Sequence, residues 1–537
     1  MRGARARTGP AATDAQQGPG GRSGVARRAA VPLLVVLAFC LLLAAWVGSN
    51  PPGYGPDEQV HQVKAIGAGT GQWRGAPGRQ TELNFGTGPG EQTRIAWIKA
   101  TTRAFALPAG LNPYASGYPC DVLAIQKPLT CLSTPLPPAP AAKAAPSYVG
   151  TYEPYLYALP GVVMARLGDA RGSLYAGRVV NALLGAVLLA LAALAAWDRE
   201  VGLLSLTGVL LAATPTTLFL SSALGTNGIE IAASLCLLTL VLRSARPGGA
   251  PAWAWAAAAF AGLLLATSRS TGPAWVVVAA ALAVVQVGPR RAWRGVLARP
   301  ARSLPALAVV LAGLAATAAW ELLYQAHPAF HLSYAEGGLH RLGYDAGKWA
   351  QQWVGAFGWS NVYLPRWASG LWLAAAIALV LAAVVVATRT QRLLIAAVLV
   401  TTAALAVALD VLVFQQTQFP VFGRYTMALV VVVPLLAAEV MVRRSAVVPA
   451  VVRRAAPLGF VLLLVPIHLA GLWASAHRAA VGAYAPVDFI GRSQWVPPLG
   501  WTPWGLLALA AAAALLVAGG LSATDRLGGV RAARPSR

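Results

Sequence analysis

The chain has 537 residues, of which 57% are hydrophobic and 11% charged, with a formal net charge of +24. So apolar a composition excludes an ordinary soluble domain and a disordered chain, and places the protein among polytopic membrane proteins. The positive charge does not indicate a nucleic-acid partner: the arginines gather in the N-terminal tail and in short segments between apolar runs, the positive-inside pattern.

Residues 1–29 are rich in Gly, Ala and Arg without periodicity and read as a disordered basic cytoplasmic tail. Residues 31–47 are apolar enough to span, and no A-x-A-like cleavage site follows. A retained first helix is therefore expected. The polytopic domain is drawn over 30–521, with a second cytoplasmic tail at 522–537.

The stretch Pro56-Asp57-Glu58-Gln59-Val60-His61 emerges from that helix and opens the longest polar segment. Pro56 suits a first helical turn, where the helix dipole favours Asp57 and Glu58. Asp57, His61 and Lys64 stand at i, i+4 and i+7 and so share one face. Val60, Val63 and Ile66 lie beside it, which predicts an amphipathic helix along a surface. The group reads either as a reaction centre or as a well-capped helix. Gly67-Ala68-Gly69-Thr70-Gly71 reads as that helix's terminator.

The outer loop, 48–171, carries Cys120 and Cys131. An outside location would favour a local disulfide between them, and the spacing suggests no metal site. A loop of this length is expected to fold partly as a subdomain. Its last part, 152–167, is rich in Tyr and Pro and reads as an interfacial or re-entrant helix.

Apolar runs then follow at about 172–197, 201–222, 228–243, 251–268, 272–288, 303–324, 369–388, 393–415, 425–442, 455–475 and 503–521. With the first helix they predict an all-α fold of about twelve crossings. Alternation places Arg290, Arg291, Arg294, Arg299, Arg302, Arg389, Arg392, Arg443, Arg444, Arg453 and Arg454 on the side of both termini, the cytoplasm. The loops 325–368, 416–424 and 476–502 fall outside.

Arg178, Asn227, Arg269, Arg424 and Tyr425 lie near the outer ends of their runs. Arginine is disfavoured in short outer turns, so Arg269 and Arg424 are informative. They read either as structural ion pairs with Glu321 or Asp410, or as a phosphate clamp suited to the fork of the guanidinium. His327, His331 and His340 lie in one outer loop, but no Asp, Glu or Cys cluster joins them, so no metal site is assigned. Trp349, Trp353, Trp359, Tyr363 and Trp367 read as interfacial anchors or as a platform for sugar rings.

Taken in order, several stretches resemble a bacterial membrane family known as domain-of-unknown-function family 2142. They are Pro56-Asp57-Glu58-Gln59-Val60-His61, Glu153-Pro154-Tyr155-Leu156-Tyr157, Tyr175-Ala176-Gly177-Arg178-Val179-Val180-Asn181, Thr226-Asn227-Gly228, Arg269, Phe357-Gly358-Trp359 with Pro365, and Gly423-Arg424-Tyr425. The resemblance covers about residues 31–520. The chain departs from it at Asn227, where Asp is frequent, at Arg269, where Lys is frequent, and at Tyr155, which replaces a proline.

The family is grouped with GT-C-type membrane glycosyltransferases. The resemblance therefore implies a GT-C-like fold in the plasma membrane and transfer of a sugar from a polyprenyl-phosphate donor to an envelope glycan or lipid-linked acceptor at the outer face. It also implies Asp57 as general base, Glu58 as its understudy, and His61, Lys64, Arg178, Asn227, Arg269, Arg424 and Tyr425 as substrate contacts. No cofactor is required, although a divalent cation is compatible with the residues. The alternative reading is a non-catalytic flippase, exporter or scaffold for envelope lipids or polysaccharides.

Overall fold

The computed structural model describes residues 19–78, 90–116, 120–133, 140–247, 249–325 and 335–524. The expected loop histidines His327 and His331, the first part of the N-terminal tail and most of the C-terminal one lie outside the described residues. Helix α1 (Pro19–Ser49) begins inside the segment expected to be a disordered tail. Once an apolar helix is nucleated, each added residue contributes one more backbone hydrogen bond, so it extends into its flank.

The loop after α1 is a folded unit. It contains α2 (Glu58–Gly69), β1 (Ala76–Pro77), α3 (Glu91–Thr101), β2 (Arg103–Leu107) and β3 (Ala142–Ser147), with the strands in an antiparallel sheet of order β1-β2-β3. These strands depart from the all-α expectation. The Pro/Gly content of the loop disfavours helix, and paired strands satisfy its backbone instead. Cys120 and Cys131 are joined in a disulfide, and Arg478 donates to the Lys127 and Asp121 carbonyls of the same loop at 2.9 and 2.7 Å.

Helix α4 (Tyr155–Met164) has 10 residues, about 15 Å, too short to span. It is followed by α5 (Ala170–Ala196), α6 (Thr207–Ala212), α7 (Pro215–Ser221), α8 (Asn227–Ser244), α9 (Ala254–Ala266), α10 (Gly272–Val287), α11 (Pro289–Leu297) and α12 (Pro300–Tyr324). The chain continues through α13 (Ala335–Gly355), the hairpin of β4 (Ala356–Phe357) and β5 (Val362–Tyr363), α14 (Arg366–Val386), α15 (Arg389–Thr417), α16 (Met427–Val430), α17 (Val432–Arg443), α18 (Ala450–Val481) and α19 (Thr502–Thr524). Local signals set several starts. Asp169 accepts from the Gly172 amide ahead of α5 at 2.6 Å, Thr214 caps α7, and Thr388 with Gln391 forms a capping box on α15.

Among the described residues, eight helices are long and apolar enough to cross a membrane, or ten if two bent pairs count as one span each. The bends are 65° between Gly202–Ala212 and Pro215–Ser221 and 105° between Gly272–Val287 and Pro289–Leu297. Proline follows each break and cannot donate to the preceding turn. The other two expected crossings, 251–268 and 425–442, correspond to the short α9 and to the interrupted α16 and α17.

Helix α2 is not the surface helix that its pattern suggests. Every residue from Glu58 to Ala68 is buried, because α4 and the loop sheet pack over it.

Candidate functional site

Pro56 stands just outside α2 and not in its first turn as expected, and Asp57 is the N-cap of α2, with φ 60° and ψ 19°. This left-handed conformation is tolerated by Asp better than by most residues with a Cβ. Asp57 does not cap α2 with its side chain. Its carboxylate instead accepts from the Tyr148 hydroxyl at 2.6 Å and lies 4.0 Å from the Arg424 guanidinium. Burial, and then the adjacent Asp57 charge, hold the Tyr148 phenol well above its ordinary pKa, so it remains a donor to Asp57.

One turn later His61 meets the Tyr157 hydroxyl of α4 at 2.7 Å through Nδ1, with the two rings stacked. Burial pushes the His61 pKa down to about 4; Asp57 opposes the shift and Arg269 reinforces it. The imidazole is neutral at physiological pH.

Asp57 and His61 line a cavity of about 390 Å³ together with Asn227, Arg269, Arg424 and Tyr425. These come from four parts of the chain: the start of α2, the start of α8, the turn between α9 and α10, and the short 3-10 turn Gly423–Tyr425 before α16. Arg269 donates to Asn227 Oδ1. Arg424 donates to Ser360 Oγ at 2.6 Å and to the Tyr425 hydroxyl at 3.0 Å. The Tyr425 ring has both guanidinium groups 4.8 Å from its centroid, which orients two cations toward one space.

The opposite character comes from α3 and the end of α15: Trp97, Ile98, Leu409, Val413 and Phe419 line the same cavity. Trp359 also lines it while donating to the Gly53 carbonyl at 3.1 Å. Trp349 and Trp353 make buried or half-buried hydrogen bonds to Val421 and Thr426, whereas Trp367 is exposed.

Three expected site residues are placed elsewhere. Glu58 and Arg178 form a fully buried ion pair, with Arg178 Nε donating to Glu58 Oε1 at 2.8 Å. Arg178 also donates to the Asn50 and Pro51 carbonyls, while Glu58 accepts from the Leu224 amide. This cluster ties α1, α2, α5 and the end of α7 together. Lys64, expected on the Asp57 face, is two helical turns away and donates to the Trp73 and Gly150 carbonyls, 2.8 Å each. Burial lowers its pKa to about 7.

Sequence reading gave no role to Tyr148, Tyr152, Glu153, Gln325, Gln416 and Thr417, which also line the cavity. Glu153 is 2% exposed. Burial, and then the neighbouring Glu321 carboxyl, push its pKa up. The available signal was an acidic residue set immediately before an apolar helix.

No curated protein and no solved structure matches the chain. The family described as predicted membrane protein (DUF2142) matches residues 40–433, more than half of the chain. The protein belongs to that family.

Proposed function

We propose that the protein is a GT-C-like membrane glycosyltransferase that takes its sugar from a polyprenyl-phosphate donor at the outer face. The observation that carries the reading is the composition of one cavity: Asp57, Arg269 and Arg424 beside an apolar wall from α3 and α15. A lipid phosphodiester has the matching halves, an anion for the guanidinium groups and a chain for the wall.

In the proposed reaction the acceptor hydroxyl attacks the anomeric carbon. Its proton passes to the Asp57 carboxylate. The bond from the anomeric carbon to the phosphate oxygen breaks, and the lipid phosphate leaves with the bonding electrons. Arg269 and Arg424 stabilise the charge that grows on that phosphate. Neutral His61 holds Tyr157 and the start of α2 in place. A single displacement inverts the anomeric configuration. The acceptor is an envelope glycan or lipid-linked glycan.

The protein is read as a multi-pass plasma-membrane protein with twelve crossings, α9 and the α16–α17 pair being short passes, and with both termini cytoplasmic. Asp57→Asn keeps the side chain's shape and the left-handed backbone while removing the base. Transfer, measured as release of polyprenyl phosphate from polyprenyl-phosphate sugars by the purified protein, is expected to fall about 10²–10⁴-fold with donor binding retained. Unchanged transfer by Asp57→Asn would remove the catalytic assignment and favour a flippase or scaffold.

A further inference from the structure

Helix α11 stands apart from the helices around it. Its axis turns 105° from that of α10, and none of its 9 residues is buried. The bend is written into the sequence. Gly288 takes φ 80° and ψ 152°, a conformation nearly reserved for glycine, and Pro289 then starts a new helix. A helix set almost square to a span runs along the membrane plane instead of through it. The helices on either side of it expose apolar side chains, Val277 and Val285 on α10 and Leu304 and Leu311 on α12. Such surface is covered by lipid in a membrane protein, so α11 lies at the rim of the bundle.

The short helix has two faces. Arg290 and Arg294 stand at i and i+4, with Arg291 beside them. Ala292, Trp293 and Val296 make the other side, with Leu297 at its edge. Trp293 is 56% and Leu297 49% exposed, apolar surface that neighbouring segments leave open. The three arginines are exposed too, and the chain has no acidic residue between Glu230 and Glu321 to neutralise them locally. Arg299, just after α11, donates to the Ala250 carbonyl at 3.2 Å. That bond brings the half-exposed Trp253, at the start of α9, to the same edge. Tryptophans at one level are the usual mark of a membrane–water interface.

We propose that α11 is an interfacial anchor for anionic phospholipid: Arg290, Arg291 and Arg294 bind headgroup phosphates while Trp293 and Leu297 enter the acyl-chain boundary of the same leaflet. Charge complementarity selects the lipid. A basic amphipathic helix is drawn to anionic headgroups, and the guanidinium fork pairs with phosphate oxygens. A zwitterionic lipid carries its own cation, which repels the three arginines. A soluble acidic protein would match the arginines but leave the apolar face without a partner. The anchor requires only that α10 and α12 cross the membrane, and it is independent of the transfer chemistry at the cavity.

Two measurements on the purified full-length protein test it. In the first, protein in detergent receives equal amounts of phosphatidylglycerol and phosphatidylcholine, and native mass spectrometry identifies the lipids retained. Wild type is expected to retain phosphatidylglycerol in preference, the more so at low salt. Arg290→Gln, Arg291→Gln and Arg294→Gln together should reduce that preference roughly tenfold or more. Arg526→Gln, Arg531→Gln and Arg534→Gln together remove the same charge from the C-terminal tail and should leave it intact. In the second, a fluorophore is attached at Trp293→Cys or at Arg291→Cys, each in a Cys40→Ala, Cys236→Ala background, in nanodiscs containing phosphatidylglycerol. Doxyl-labelled acyl chains should quench position 293 more than position 291, and aqueous iodide the reverse.

Equal retention of the two lipids by wild type would overturn the anchor. So would an equal loss in the tail variant, which would make the effect one of net charge. Iodide quenching as strong at 293 as at 291 would also overturn it and leave this face to a soluble acidic partner. Thermal unfolding checks each variant, and if the α11 triple variant does not fold, the quenching pair decides.

Discussion

Adjacent carboxylates in this chain do different work because a single backbone rotation separates them. Asp57, at φ 60°, projects into the cavity, whereas Glu58 turns back to a fully buried Arg178. The sequence alone marks both as acids at a helix start and cannot say which one leaves the helix. For the same reason Asp57, His61, Asn227, Arg269, Arg424 and Tyr425 were legible as polar groups beside apolar runs, and they do share one cavity. Glu153 stood in a stretch that the sequence singled out but without a role, and Gln325 was not legible, since only the fold brings the end of α12 to the cavity. The buried pair has a distinct consequence. Glu58→Gln leaves a buried guanidinium without its counter-charge, which is expected to cost roughly 3–5 kcal/mol. It should show as a large drop in apparent melting temperature and in monodisperse yield. A Glu58→Gln protein that folds normally yet loses transfer would make Glu58 a chemical group after all.

At the scale of elements, the lengths of the apolar runs were readable and their interruptions were not. The run at 201–222 looks continuous by hydropathy, yet it breaks before Pro215 with a bend of 65°, whereas the 105° bend before Pro289 falls where the run 272–288 was expected to end. The helical face of α2 was equally misleading, since periodicity reports a pattern and not what later segments fold over it. The contact of α2 with α4 depends on two glycines that approach backbone to backbone. A Cβ at Gly161 would collide with the Ala65 carbonyl, and one at Gly69 with the backbone at Gly161. Such close approach is the usual use of small residues between packed helices in membranes. Gly161→Ala must therefore push α4 away from α2, and α4 carries the Tyr157 hydroxyl that meets His61. The expected cost is about 3 kcal/mol, with weakened ligand binding at the cavity. Gly168→Ala, where a Cβ meets nothing within 4 Å, is the control. Equal melting temperatures for the two variants would show that α2 and α4 are not held by this contact.

Across the whole molecule, the helices share a polarity that ties the cavity to the membrane's two sides. Helix α8 runs from Asn227 at the cavity to Arg243, and α10 starts just beyond Arg269 and leads to Arg290, Arg291 and Arg294. Helix α12 begins beside Arg299 and Arg302 and ends at Gln325, while α15 begins at Arg389 and Arg392 and ends at Thr417 on the cavity. The segment from Tyr425 likewise leads through α17 to Arg443. In each case the arginine-rich end is the one remote from the cavity. Arg246 and Arg443 converge there on Glu439, so part of that charge is structural, but the exposed arginines of α11 have no such explanation. On the topology we propose, the positive-inside bias orients the cavity away from the cytoplasm. Trp504 of α19 lies against Gly48 at the end of α1, which puts the 482–501 loop on the cavity side, and Asp488 in that loop has a side chain 78% exposed. In intact cells, Asp488→Cys should react with a membrane-impermeant maleimide, and Arg290→Cys only after permeabilisation. Labelling in the opposite order would invert the topology. It would place the cavity among cytoplasmic donors and remove the outer-face reaction, while leaving the geometry of Asp57, Arg269 and Arg424 to be explained by a different anion.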